Sequence, residues 1–230
     1  MLIKTDQSMK PGAKQVVFFF GPYGVPMSKL WLPLRSLRRA GYSVITYEYP
    51  KAIFRTGDPK QLLIAIDETR QHVRSAIDDL KKQGYTDFGF FGSSLGAFIV
   101  YNCFKATPEF GRGVLNGGGD AAEAVWSFQS ERRHFEATGY TLPKLRKVWH
   151  NVQYLDLGDL TGKNFILISS HGDTTTTVEN ALKTRDQILN AGPNAEIIMH
   201  KRLNHVPTVA VNLLRVRKHV RKVHAKSMLR

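Results

Sequence analysis

Asp87-Phe88-Gly89-Phe90-Phe91-Gly92-Ser93-Ser94-Leu95-Gly96-Ala97 is the stretch that decides the fold. Residues 87–91 form a short, nearly all-apolar run, the signature of a strand buried in a parallel sheet. The run passes straight into Gly92–Gly96, and helical spacing continues to about residue 105. Working outward, short β-branched or aromatic runs alternate with longer helical patterns. Upstream, 15–20 reads as a strong strand and ends in the turn-rich Gly21-Pro22-Tyr23-Gly24. A helix over about 28–40 stops at Gly41, and a strand over 43–49 ends at Pro50. Asp58 caps a long helix that has Pro59 at its first position and Gly84 just past its end. Residues 2–5 read as a short edge strand.

Downstream, 113–116, 164–169 and 196–200 are the remaining strands. Thr176 and Glu179 have capping-box spacing for the helix between the last two. The final helix is expected over 206 to about 223, with Val209, Leu213, Val216 and Val220 on one face. Alternation of this kind predicts a mostly parallel central sheet with helices on both faces, in a single α/β domain spanning 1–230. The segment at about 120–160 breaks the pattern, being helical and rich in both charge and aromatics. It is the natural place for a short helical cap over a site.

Gly92-Ser93-Ser94-Leu95-Gly96 is a G-x-S-x-G sequence. Between a strand and a helix it describes a sharp turn that lifts the serine out of the sheet. The two glycines avoid clashes in that tight geometry, and the helix N-terminus turns free N–H groups towards the site. The same letters can serve a packing turn or a phosphate cradle, so the partners of Ser94 carry the argument. A serine hydroxyl becomes a nucleophile only beside a base. Of the eight histidines, only His205 falls in the loop between the last strand and the last helix, in Leu203-Asn204-His205-Val206-Pro207. His200, within the preceding strand, is the runner-up. His219 and His224 lie in the basic C-terminal region and read as solvated.

With these parts in place the chain resembles the α/β-hydrolase family, from about residue 15 to about residue 223. The resemblance rests on the 92–96 turn, the 20–24 loop, His171-Gly172-Asp173, the Asn204-His205 pair and the cap-sized insertion. It implies a serine hydrolase, acting on an ester, thioester or amide through an acyl-serine intermediate, without cofactor or metal. Ser94 is then the nucleophile, His205 the base and Asp173 the acid, in the chain order Ser, acid, His. Many members place the acid three residues after the glycine, where this chain has Thr175. Asp120, just after the 113–116 strand, is the alternative acid. The oxyanion donors implied are the backbone N–H groups of Leu95 and Tyr23, with Gly21 as second choice and Pro22 excluded for lack of an N–H. Many relatives carry His-Gly where this chain has Phe20-Gly21. Thr175 and Phe20 motivate the alternative, an inactive module of the same fold that engages an anionic partner through its basic C-terminal helix.

The expected partner is a small acyl substrate. Trp126, Phe128, Phe135, Tyr140, Trp149 and Tyr154 could wall an acyl pocket, although for any one of them cap core is the simpler role. Arg132, Arg133, His134, Lys144, Arg146 and Lys147 either attract an anionic leaving group or form a solvated face. The net charge is +14, and Arg215, Arg217, Lys218, Arg221, Lys222, Lys226 and Arg230 crowd the C-terminal end. Such a field attracts nucleic acid, acidic headgroups or anionic substrates. Basic runs without interleaved aromatics carry little specificity, so solubility is the simpler account than a nucleic-acid or membrane site. Cys103, the only cysteine, sits in an apolar stretch and reads as a buried, inert thiol. No apolar run approaches the roughly 18 residues of a membrane span, and residues 1–14 have no signal-peptide stretch, so a cytoplasmic protein is expected.

Overall fold

The structure, a computed structural model, describes residues 3–153 and 155–225. Seven strands form one sheet: β1 Lys4–Ser8, β2 Gln15–Phe20, β3 Ser43–Glu48, β4 Asp87–Ser93, β5 Phe110–Asn116, β6 Asn164–Ser170 and β7 Asn194–His200. Their order is β1-β3-β2-β4-β5-β6-β7. All neighbours pair in parallel except β1, which runs antiparallel to β3 at the edge. The helices are α1 Trp31–Arg39, α2 Ala52–Arg55, α3 Lys60–Lys82, α4 Leu95–Tyr101, α5 Ala121–Ser127, α6 Gln129–Ala137, α7 Leu142–Val148, α8 His150–Gln153, α9 Val178–Asn190, α10 His205–Leu214 and α11 Val216–Ala225.

Strand β2 shows how the sequence builds the two layers. Val16, Phe18 and Phe20 face one core and Val17 and Phe19 face the other, as the two-residue period of a strand requires. The first core gathers α3, α4 and the helices between β5 and β6, with Phe90, Phe110 and Phe165 packed ring to ring. The second is covered by α1, α10 and α11 through Leu34, Leu37, Val209, Leu213, Val216 and Val220. Helices α5–α8 form the insertion, which hydrogen bonds tie to the body, Ser127 to Thr175 and Asn180 to Glu123 among them. The Trp149 indole N–H donates to the Pro59 carbonyl at 2.9 Å, and the Thr138 hydroxyl donates to the Gly57 carbonyl at 2.8 Å.

Several expectations are corrected. The edge strand begins at Lys4 rather than residue 2, whose placement lies outside the described residues. β5 begins at Phe110, not 113, because Arg112 is paired with Asp87 of the neighbouring strand at 2.9 Å instead of facing water. The cap of α9 is Thr177, whose hydroxyl accepts the Asn180 N–H, while Thr176 is turned to other partners. The last helix divides at Arg215 into α10 and α11. His219 and His224 are not solvated, each being 5% exposed. Their spacing from Val216, Val220 and Val223 puts them on the sheet-facing side of α11. There His219 Nε2 lies 3.0 Å from Asn212 Oδ1 and the His224 ring packs on Tyr42. Burial lowers both imidazoles to about 4. Cys103 is buried, and burial pushes its thiol up to about 12. Among the described residues, no helix is long and apolar enough to cross a membrane.

Candidate active site

The β4–α4 turn carries Ser94 at φ 52°, ψ −118°. Among the described residues it is the one non-glycine with positive φ, a conformation that costs an L-residue of this kind about 1–3 kcal/mol. Two neighbours keep it there. A Cβ at Gly96 would come within 2.3 Å of the Phe20 carbonyl oxygen, and one at Gly92 within 2.7 Å of Ala97 Cα. The turn is thus wedged against β2, and the Ser94 N–H is fixed by the Asn116 carbonyl at 2.8 Å.

Ser94 Oγ lies 2.9 Å from His205 Nε2, although 111 residues separate them. His205 is the first residue of α10, where Asn204 caps the helix and accepts the His205 N–H at 2.7 Å. On the far side of the ring, His205 Nδ1 is 2.8 Å from Asp173 Oδ2. The Asp173 side chain is fully buried. Its Oδ1 accepts the N–H groups of Thr175 and Thr176 at 2.9 and 2.8 Å, and its Oδ2 accepts the Thr176 hydroxyl at 2.7 Å. Burial pushes the carboxyl up, but hydrogen bonds from His205 and Thr176 outweigh it and hold the group below the ordinary carboxylate value. Thr175 and Thr176 thus surround the Asp173 carboxylate with donors, Thr175 through its N–H.

The remaining candidates stand elsewhere. Asp120 caps α5, taking the Glu123 N–H at 2.9 Å, and faces Arg146 at 3.8 Å. His200 is held on β7 by Asn212 at 3.0 Å. In the 20–24 loop, Gly21 N–H donates to the Tyr47 carbonyl and Gly24 N–H to the Tyr49 carbonyl. With Pro22 lacking an N–H, Tyr23 is the residue of Gly21–Gly24 whose N–H is not committed in this way. The Leu95 N–H, at the first position of α4, has no partner within its own helix.

A shallow groove opens over Ser94. Tyr23, Phe54, Leu95, Phe98, Val125 and Phe128 are its large apolar lining, Glu131 and Thr176 share the wall, and Phe128 stands edge-on to the His205 ring. Of the insertion's described aromatics only Phe128 lines it; Phe135 and Trp149 are fully buried core, and Tyr154 lies outside the described residues. The basic residues of the insertion do not line it, and Arg146 is engaged with Asp120 and Glu123. Sequence reading missed Phe54, Phe98, Thr176 and Glu131. Phe98 sits one turn after Ser94 on α4, a signal that could have been read. Thr176 follows Asp173 by three residues, the spacing of a side-chain-capped turn. Glu131, buried with its Oε2 lacking a hydrogen-bond partner, gave no signal, since a charged residue on a cap helix reads as solvated.

No protein-family model and no curated protein sequence matches the chain. Solved structures do. An esterase of Pyrococcus furiosus superposes with a TM-score of 0.63 at 16% identity, covering 96% of this chain and 92% of its own. The ferulic acid complex of Est1E from Butyrivibrio proteoclasticus gives 0.63 at 11% identity, over 99% and 96%. A 2,6-dihydroxy-pseudo-oxynicotine hydrolase gives 0.68 at 14% identity, over 96% of this chain and 64% of its own. The fold is the α/β-hydrolase fold. Within that fold, Ser94 sits at the strand-to-helix turn after β4, Asp173 after β6 and His205 after β7, all at the C-terminal edge of the parallel sheet.

Proposed function

We propose that this α/β-hydrolase-fold chain is a serine hydrolase that cleaves an ester, thioester or amide through an acyl-serine intermediate. The observation that carries the reading is the continuous chain of contacts Ser94 Oγ–His205 Nε2 at 2.9 Å and His205 Nδ1–Asp173 Oδ2 at 2.8 Å. Nucleophile, base and orienting acid are each within hydrogen-bond reach of the next, as activation of a hydroxyl requires. The strained backbone of Ser94 supports the same reading, since strain of this kind gathers at functional sites. The structural neighbours are named as esterases and hydrolases, which favours hydrolysis over other uses of a serine.

In this mechanism Ser94 Oγ attacks the substrate carbonyl while His205 Nε2 takes its proton. Asp173, kept ionised, holds the Nδ1–H tautomer and stabilises the imidazolium. The tetrahedral oxyanion is met by the N–H groups of Leu95 and Tyr23. Collapse expels the leaving group, which takes the proton from His205. Water then enters and gives a proton to His205 as its oxygen attacks the acyl carbon, and collapse frees the carboxylic acid while Ser94 Oγ takes the proton back from His205. Aromatic and aliphatic walls suit an apolar acyl group.

A fluorophosphonate probe tests the reading, with wild type beside Ser94→Ala and mass spectrometry of the labelled peptide. Stoichiometric labelling at Ser94, absent in the variant, is the expected result. Folded wild type that takes up no label would sink the proposal.

A further inference from the structure

Helices α1, α10 and α11 cover one face of the sheet and pack on one another through a shared apolar core. Their sequences, WLPLRSLRR, HVPTVAVNLL and VRKHVRKVHA, contain no aspartate or glutamate. They carry Arg35, Arg38, Arg39, Arg217, Lys218, Arg221 and Lys222, and Arg215 sits at the α10–α11 junction. Lys222 reaches Glu196 on β7.

The second observation is apolar. Four of the most exposed large hydrophobics are on this face: Val206 at 67%, Leu214 at 64%, Trp31 at 56% and Leu32 at 47%. On α10, Val206, Ala210 and Leu214 fall at i, i+4 and i+8, so they form one exposed stripe on a helix without a single charge. Val206 directly follows His205, whose Nε2 meets Ser94 and whose ring stands edge-on to Phe128, so the stripe starts one residue from the site. An apolar stripe left in water and flanked by cations is costly unless something covers it.

We propose that this face docks on an anionic lipid bilayer, with Trp31, Leu32, Val206 and Leu214 entering the headgroup–acyl boundary and the flanking cations meeting the phosphates. A bilayer alone offers both complements, an apolar interior and a layer of negative charge. A nucleic acid matches the cations but gains nothing from the aliphatic stripe. A second copy is disfavoured, because two faces whose helices carry basic but no acidic side chains repel. Docked in this way, the chain holds the site at the lipid surface. The proposal does not depend on any catalytic role of Ser94.

Vesicle co-sedimentation of the full chain tests it, with phosphatidylserine–phosphatidylcholine vesicles against phosphatidylcholine alone, at low and high salt. Two variants confined to exposed positions, checked for folding by circular dichroism, accompany wild type. Wild type is expected on the anionic vesicles and to be released by salt. Arg217→Gln/Lys218→Gln/Arg221→Gln should weaken binding by about a hundredfold, and Trp31→Ser/Leu214→Ser by about tenfold or more, with the salt dependence kept. Folded wild type that stays in the supernatant overturns the proposal. So does undiminished vesicle binding by Trp31→Ser/Leu214→Ser. Equal affinity for duplex DNA, insensitive to that apolar variant, would make the face a general polyanion site and would equally overturn it.

Discussion

Replacing Asp173 by asparagine tests the site at its least obvious member. The change is isosteric, so its effect is set by which oxygen becomes an amide. Asp173 Oδ1 accepts two backbone N–H groups, from Thr175 and Thr176, and these donors cannot reverse. The asparagine oxygen must therefore stay at that position, and its NH₂ must face Thr176 Oγ1 and His205 Nδ1. An N–H aimed at Nδ1 forces the imidazole into the tautomer with its proton on Nε2, facing Ser94. That ring cannot accept the serine proton. The loss expected is about 10⁴-fold in kcat, or roughly 5 kcal/mol of transition-state stabilisation. Asp120→Asn keeps its helix cap and loses only a distant charge on a half-exposed Arg146, so its loss should stay below about threefold. Hydrolysis of p-nitrophenyl butyrate by the two variants, both shown to be folded, reads the difference. Asp173→Asn activity within tenfold of wild type, with Asp120→Asn severely impaired, would refute the reasoning and return the acid to Asp120.

Three further outcomes follow from the same structure. Ser94→Gly should be more heat-stable than Ser94→Ala by about 1 kcal/mol, because glycine alone adopts φ 52° without strain; equal melting temperatures would mean the turn holds no strain. Gly96→Ala drives a Cβ to 2.3 Å from the Phe20 carbonyl oxygen. It should cost about 1–3 kcal/mol in denaturant unfolding and lower kcat further, by displacing the 20–24 loop that carries the Tyr23 N–H. The third outcome concerns pH. His219 and His224 titrate near 4 when folded and near 6.5 when unfolded, so the unfolded chain alone binds their protons between those values. Stability is then complete above about pH 6.5 and falls as pH drops towards 4, by up to about 1.4 kcal/mol per pH unit for each histidine. Asp173, lowered in the fold, adds a loss in the same direction at more acid pH. Chemical denaturation across this range, compared with His219→Gln, isolates one of the two slopes; a slope unchanged by the substitution contradicts the assignment.

The sheet was legible because its central strands are largely apolar runs bounded by turn residues, and the 87–97 stretch leads from strand to helix across one residue, Ser94. Ser94 and His205 were legible because each occupies a strand-to-helix junction, a position that chain order alone reveals. Asp173 was legible as a carboxylate after β6, but the donors that surround it were not, since the Thr174–Thr177 run reads as a polar turn. His219 and His224 were misread because a basic composition suggested solvent. The i, i+4 spacing from Val216 to Val220, and of His219 and His224 one position before and after the valines, carried the correct answer. The exposed stripe on α10 could not be found from sequence, because Val206 and Leu214 have the same character as the buried Val209 and Leu213. Only the packing against α1 and the sheet decides which of them meet water.

The central claim is that Ser94 becomes acylated during turnover. Rapid acid quench of the wild-type chain with p-nitrophenyl butyrate, followed by intact-mass and peptide mass spectrometry, looks for that adduct directly. The expected result is one butyryl group on the peptide carrying Ser94, appearing with a burst of p-nitrophenol and absent in Ser94→Ala. Turnover with no adduct, or an adduct that persists in Ser94→Ala, would contradict it.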